Sequence, residues 1–218
     1  MIPYEQPQLT VEEMKARARA FCDLMGKRRS VRFFSDRPVP RSLIELAIRT
    51  ASSAPSGAHM QPWTFVAVSN ADLKCAIRKA AEEEERISYE GGRMKEEWLR
   101  ALEPLGTDWH KPFLETVPWI VVLFAQRRSH HSDGSVRKHY YVQESVGIAA
   151  GLFIAALHNM GLSTLTHTPS PMGFLQRLLK RPDNEVPFIL FPIGYATEDC
   201  QVPDLQRKSL AEVAVWME

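Results

Sequence analysis

"VGIAAGLFIAAL", Val146–Leu157, is the most apolar run in the chain. It is too short to cross a bilayer, which takes about 20 apolar residues. A helix that is apolar on most sides and does not span a membrane belongs inside a protein core. The helical pattern extends from about Tyr141 to Met160 and stops at Gly161, a residue suited to the left-handed position after a helix end. Four apolar segments read as the strands that this helix covers: "WTFVAVS" (Trp63–Ser69), "WIVVLFAQ" (Trp119–Gln126, buried on both faces), "LSTLTHT" (Leu162–Thr168) and "VPFILFPIG" (Val186–Gly194). They do not alternate with helices in a βαβ series. The expected fold is therefore α+β, a sheet flanked by helices around one long buried helix.

The other helices are marked by their ends. Thr10 and Glu13 form a capping box before "VEEMKARARAFCDLM", where Val11, Met14, Ala18, Phe21 and Met25 make an apolar stripe. "RSLIELAIRTA" is a second helix, with Leu43, Leu46 and Ala47 expected inward. Asn70 is the expected N-cap of "ADLKCAIRKAAEEEERISY", and "MGFLQRLLK" (Met172–Lys180) is a short helix. Residues from about 82 to 112 are charge-dense and carry Gly91-Gly92, which predicts a mobile insertion or lid. Residues from about 198 to 218 are polar and punctuated by proline, which predicts an extended C-terminal arm.

The 218 residues suit a single domain. Lys and Arg number 27 against 26 Asp and Glu, a balance that argues against a nucleic-acid binder. The three cysteines, Cys22, Cys75 and Cys200, form no CxxC pair, so reduced thiols in a cytoplasmic protein are expected and structural zinc is not. "MIPYEQPQLT" has neither the basic nor the apolar region of a secretory signal, and no membrane attachment is expected. The seven histidines are scattered, and His130-His131 lack ligand partners at metal spacing, so no metal site is expected. No P-loop, GxGxxG after a strand or GxSxG occurs. Any demanding chemistry must come from a bound cofactor.

Three segments could serve that chemistry. "KRRSVRFFSDRPVP" (Lys27–Pro40) sets Arg28, Arg29, Arg32 and Arg37 around Ser30 and Val31. Such a run is either a solvated basic patch or a set of guanidinium forks for phosphate oxygens. "APSGAHMQPW" (Ala54–Trp63) is long for a helix-to-strand connector, and Gly57 would let its backbone come close to a flat ligand. "TLTHTPSP" (Thr164–Pro171) places three threonines and His167 at a strand end. Their hydroxyls could donate to a heterocycle, while a lone histidine there is more often structural.

Taken together, "RRSVRFF", "APSGAHMQPWTF", "EEEERISY", "TDWHKPFLETVP", "HYYVQESVGIAAG" and "VPDLQRKSL" stand in the order found in iodotyrosine deiodinases, flavin enzymes of the nitroreductase superfamily. The resemblance covers about Lys27 to Leu210. It implies a nitroreductase-like fold with a mixed central sheet, in a domain-swapped homodimer that binds FMN at the subunit interface. By this resemblance Arg28, Arg29, Ser30, Val31, Arg32 and the late Arg207 hold the phosphate end of FMN. Pro55, Ser56 and Gly57 lie against the flavin, with Thr166, His167 and Thr168. The hydroxyl of Thr168 is the catalytic contact, at flavin N5, where a donor favours one-electron steps. The backbone N–H of Ala58 meets the substrate phenolate. Glu85, Tyr89 and Lys111 hold the amino acid end of a halotyrosine, with Glu85 and Tyr89 one turn apart on a helix face. Lys27, Arg37 and Arg41 match nothing in the pattern and are read as surface.

By this resemblance the chain departs from the animal enzymes of the family in three places, and no N-terminal anchor is expected. His167 stands where threonine is more usual, "SPMG" (Ser170–Gly173) differs, and the lid gains a residue near Gly91-Gly92. The expected activity is FMN-dependent reductive dehalogenation of 3-iodotyrosine and related halotyrosines, with electrons from an external reductase or NAD(P)H. The alternatives are a general NAD(P)H-dependent nitroreductase or quinone reductase on the same scaffold, and a flavin-holding or halotyrosine-binding protein with slow chemistry.

Overall fold

Strand β2 (Trp119–Gln126) shows why the chain folds as it does. The computed structural model describes residues 1–130 and 133–218. Along β2, Val121, Leu123 and Ala125 point to one core cluster and Ile120, Val122 and Phe124 to another, on opposite faces of the sheet. Every residue from Ile120 to Phe124 is fully buried. A strand without a polar face can exist only between two helical layers.

On one side β2 pairs with β1 (Trp63–Val68) and on the other with β6 (Glu185–Gly194); β5 (Ser163–Thr164) pairs with β6, giving the order β1-β2-β6-β5. All these pairings are antiparallel. The parallel component of the expected mixed sheet is a single bridge between Ser30 and Thr164. "LSTLTHT" contributes only the short β5 as regular strand, and a bridge between His167 and Leu190 continues it. A hairpin of β3 (Arg128–His130) and β4 (Val136–Lys138), which no hydrophobic pattern announced, stands apart from this sheet. His131, one of the two adjacent histidines, lies outside the described residues.

The first layer holds α6 (Val142–Asn159) and α2 (Arg41–Ser52). Val146, Ala149, Ala150, Phe153 and Leu157 of α6 are buried, and the Phe153 ring lies 5.3 Å from Phe65 and 5.2 Å from Phe191, between centroids. Burying each such large side chain contributes about 1.5–3 kcal/mol. Gly161 takes φ +76° after α6, as its place in the sequence predicted. In α2, Ile44, Ala47 and Ala51 face the core and Leu43 packs at its edge. Leu46, expected inward, is 53% exposed, because the core-facing arc of α2 is centred on Ile44.

The second layer holds α3 (Ala71–Tyr89), α5 (Phe113–Thr116) and α7 (Gly173–Leu178). Ile77, Ala81, Phe113, Leu114, Phe174 and Leu175 pack here against Ile120, Val122, Phe124 and Leu190. Asn70 caps α3 by accepting the Leu73 N–H at 2.8 Å. Between α3 and α5 the chain forms α4 (Glu96–Leu102) and a one-turn 3-10 helix, Glu103–Leu105. α1 (Val11–Gly26) carries the expected capping box, yet none of its residues is buried; Val11, Met14 and Phe21 are exposed. The arm holds one turn of helix, α8 (Leu210–Val213), with its own capping box from Ser209 and Glu212. Among the described residues no helix is long and apolar enough to cross a membrane.

Candidate active site

After α1 the chain runs extended beside β5. The Val31 N–H donates to the Thr164 carbonyl at 3.2 Å, which fixes the segment "RRSVR" at the sheet edge. The arm folds back onto it. Arg207 donates to the carbonyls of Gly26 and Arg28 at 2.9 and 2.7 Å, and Arg29 donates to the Pro203 carbonyl. These elements enclose a cavity of about 450 Å³ walled by Arg28, Arg29, Ser30, Arg32, Thr166 and Arg207. None of its lining residues is acidic. The Arg28 guanidinium is held below its ordinary pKa by burial first, then by Arg207 and Arg29. Like charges gathered without a counter-charge make a site for a multiply charged anion such as a phosphate.

A second cavity of about 140 Å³ shares Arg32, Leu102, Leu165 and Thr166 with the first. Its far wall is Glu85, Tyr89 and Lys111, and Trp98 and Leu102 of α4 close it from the side. Glu85 and Tyr89 stand one turn apart on α3. Lys111 reaches them from the return segment, with Nζ 3.5 Å from Glu85 Oε2 and 5.7 Å from the Tyr89 ring centroid. The Lys111 and Glu85 side chains are 4% and 11% exposed. Burial raises the Glu85 pKa while Lys111 lowers it by less; burial likewise lowers that of Lys111, against the pull of Glu85. Burial, then Glu85, raises the Tyr89 phenol. Both charges have lost water; Glu85 faces Lys111, while Lys111 faces Glu85 and, more weakly, Asp108, and its Nζ also donates to Thr107 Oγ1 at 3.1 Å and to the Asp108 carbonyl.

The Leu165–Thr168 stretch alternates. Leu165 and His167 are buried, Thr166 and Thr168 exposed. Thr166 and Thr168 line the second cavity and Thr166 also lines the first. His167 turns against the edge of the Phe113 ring, 6.0 Å between centroids, and its Nε2 has no partner among the described residues. Burial, then Lys111 and Arg32, push its pKa down to about 3, so it is neutral. His167 borders the second cavity, but its main-chain N–H and carbonyl are both paired with Leu190, at 2.9 and 3.0 Å.

The loop Pro55–Ala58 lies elsewhere, outside both cavities. It is fastened to the start of α6: the Gly57 N–H donates to Ser145 Oγ at 3.2 Å, and that hydroxyl donates to the Tyr141 carbonyl at 2.6 Å. A Cβ on Gly57 would stand 2.6 Å from the Tyr140 carbonyl oxygen, so only glycine fits. Ala58, His59 and Gln61 all take positive φ, 51°, 54° and 47°. Such clustered strain is characteristic of functional loops. The His59, Met60 and Gln61 N–H groups are used within the loop, on Ser56 O, Gly57 O and Ser56 Oγ. Among the described residues the exposed Ala58 N–H has no acceptor. One chain therefore unites Arg28, Arg29, Ser30, Arg32, Thr166, Thr168, Arg207, Glu85, Tyr89 and Lys111, and leaves Pro55, Ser56, Gly57 and Ala58 apart.

Several residues in the site carried no signal of their own. Leu102, Leu105 and Trp98 sit in the charge-dense stretch whose sequence reads only as a mobile insertion or lid, and form α4 and its extension. Glu82 accepts the Lys111 N–H at 2.7 Å, and Arg93 ties the α3 end to Ser170. Arg37, read as bare surface, stacks over the Tyr195 ring at 4.2 Å.

The model of the nitroreductase family matches residues 25–195, most of the chain. Iodotyrosine deiodinase of Haliscomenobacter hydrossis is 56% identical over 214 residues, 98% of this chain and 96% of that one. The chain belongs to the nitroreductase family, in its iodotyrosine deiodinase branch. Iodotyrosine deiodinase 1 of Homo sapiens is 45% identical over 215 residues, covering 98% of this chain and 74% of the human one. A crystal structure of oxidized iodotyrosine deiodinase bound to FMN and 3-iodo-L-tyrosine superposes with a TM-score of 0.78 at 27% identity, over 90% of this chain and all of that one. A nitroreductase with bound FMN from Bacteroides fragilis shares the family fold, with a TM-score of 0.66 at 16% identity over 91% of this chain and 98% of its own. The α+β architecture around α6 is that of a nitroreductase.

Proposed function

We propose that this nitroreductase-family protein removes halide reductively from 3-iodotyrosine and related halotyrosines, with FMN as cofactor. The observation that carries the reading is the buried Glu85–Lys111 pair beside Tyr89, in a cavity that opens into the arginine-lined one. The acid-free arginine cavity fits the phosphate of FMN, and the Thr166 and Thr168 hydroxyls fit its polar ring edge. Bound there, FMN supplies the two electrons that, with one proton, replace the carbon–halogen bond by carbon–hydrogen and release halide. The electrons are restored by an external reductase or NAD(P)H.

The chain's own residues select and orient. Arg28, Arg29, Ser30, Arg32 and Arg207, with the Val31 main chain, hold the phosphate end, and Thr168 offers its hydroxyl to the reacting edge of the ring. Glu85 receives the substrate ammonium, Lys111 its carboxylate, and Tyr89 adds a hydroxyl and ring. The segment from residue 82 to 112 acts as a lid over both, with Trp98 and Leu102 excluding water. A general NAD(P)H nitroreductase has no use for a buried ion pair in its substrate cavity.

The active unit in this reading is a homodimer, supported by two features of the single chain. The α1 stripe leads into an apolar groove formed by Phe21, Leu46, Leu152, Ala155, Ala156 and Met160, and it is uncovered. The Pro55–Ala58 loop is built for close contact yet stands apart from the site. A second copy covers the groove and brings its Pro55, Ser56, Gly57 and the donor N–H of Ala58 to flavin and phenolate. Its C-terminal arm, ending in exposed Val215, Trp216 and Met217, joins the exchange. The unpaired cysteines fit the reducing cytoplasm.

The test is anaerobic titration of FMN-loaded, reduced protein with 3-iodo-L-tyrosine. Release of iodide and tyrosine in equal amounts, one of each per two electrons, is the expected result. Rapid nitroarene reduction with no iodide release would overturn the reading.

A further inference from the structure

One face of α3 looks along its whole length toward the segment that returns from residue 110 to the core. Lys74, Arg78, Glu82, Glu85 and Tyr89 follow at intervals of four, four, three and four, the spacing of a single helical face. The lower three grip the return segment. Lys74, itself buried, donates to the Glu115 and Val117 carbonyls at 3.0 and 2.7 Å. Arg78 donates to Glu82 Oε1 at 2.8 Å and lies 3.5 Å from Glu115 Oε1. The same Glu82 oxygen accepts the main-chain N–H of Lys111 at 2.7 Å. Lys111 is thus held twice from one helix face, by its backbone through Glu82 and by its side chain through Glu85, 3.5 Å away; within its own segment its Nζ also donates to Thr107 Oγ1 at 3.1 Å and to the Asp108 carbonyl.

We infer that Glu82 is a positioning residue for halotyrosine recognition, because it fixes the backbone of Lys111 and so sets where that ammonium stands relative to Glu85. The inference rests on the reading that Glu85 and Lys111 hold the amino acid end of the substrate. The Lys111 side chain is 4% exposed, so its stem has no free space in which to compensate for a displaced backbone. The Glu82 side chain is 16% exposed and already balanced by Arg78, so the bond it accepts is sheltered and charge-assisted. Glu82 touches neither cavity. It acts only through Lys111.

The experiment is calorimetric titration of FMN-loaded protein with 3-iodo-L-tyrosine and, separately, with 2-iodophenol, which has the ring and halogen but no amino acid end. Glu82→Ala should weaken iodotyrosine binding about tenfold or more, the loss of a charged hydrogen bond, and leave 2-iodophenol binding unchanged. Glu82→Gln keeps an oxygen acceptor for the Lys111 N–H and should restore most of the affinity. Equal weakening of both ligands by Glu82→Ala, or no weakening, overturns the inference. A wild-type protein that binds both ligands alike overturns the Glu85–Lys111 reading itself, and the inference with it. If wild type prefers iodotyrosine and Glu82→Ala keeps that preference, only the inference fails. Should Glu82→Ala not retain FMN, Arg78→Met decides: it releases the carboxylate from its guanidinium, and a selective loss of iodotyrosine affinity supports the role while unchanged affinity overturns it.

Discussion

Arg93 donates to the carbonyl oxygen of Ser170 at 2.8 Å, across 77 positions of sequence. The same Nη1 lies 2.9 Å from Glu84 Oε2 and 3.3 Å from Ser88 Oγ, so one guanidinium joins the end of α3 to the loop that follows Thr168. Arg93 follows Gly91-Gly92 and Ser170 opens "SPMG", two stretches where the family resemblance leads to an expected departure from the animal pattern, and this bond joins them. The proposed lid is thereby fastened to the loop after Thr168, the residue whose hydroxyl is proposed to meet the flavin edge.

Arg93→Met should therefore loosen substrate binding more than cofactor binding. The side chain is 38% exposed and its contacts are partly screened, so about 1 kcal/mol is expected, or roughly fivefold in iodotyrosine affinity. FMN affinity, followed by fluorescence, should not change.

The arginine cavity predicts a phosphate-specific loss. Arg28→Ala removes one charge-assisted donor, worth about 1.5–3 kcal/mol, and should weaken FMN binding by about ten- to a hundredfold. Riboflavin, which lacks the phosphate, should bind both proteins alike. Equal losses for the two ligands would show that Arg28 supports the fold rather than the phosphate.

The buried pair predicts how substrate affinity varies with pH. Burial raises the Glu85 pKa above the ordinary 4.5, and an ammonium needs the ionised form. As pH falls through that raised value, Glu85 takes up a proton and iodotyrosine affinity drops. The acid limb should thus lie above pH 4.5 and vanish in Glu85→Gln. The 2-iodophenol profile, which lacks this limb, corrects for the phenol.

His167 predicts a stability effect of definite sign. Its folded pKa is about 3, below the ordinary 6.5, because burial and then Lys111 and Arg32 disfavour the cation. Above pH 6.5 the residue is neutral in both folded and unfolded states. As pH falls below 6.5 only the unfolded chain takes up the proton, so stability is lost between 6.5 and about 3, by about 2 kcal/mol at pH 5. His167→Thr should flatten that part of the curve in urea unfolding at a series of pH values.

The sequence by itself determined the parts of this protein that depend on composition and local chemistry. A run as apolar as Val146–Leu157 had to be buried. The bounds of β2 matched the residues read as its strand, because a short run rich in β-branched and aromatic residues, set between Pro118 and Arg127, has the length and composition of a buried strand rather than a helix. The Thr10 and Asn70 caps and the Gly161 stop follow from hydrogen bonds and backbone angles within a few residues. Tertiary structure alone decided what lies far apart in the chain or depends on direction. It centred α2 on Ile44 rather than Leu46, turned His167 inward between two outward threonines, and set Glu82 against the Lys111 backbone. It also left Pro55–Ala58 fastened to α6 and away from the arginines with which the motif pattern had grouped it. Local rules specify a torsion or a cap; which side chains then meet is settled by how whole helices pack on a sheet, and no window of sequence contains that.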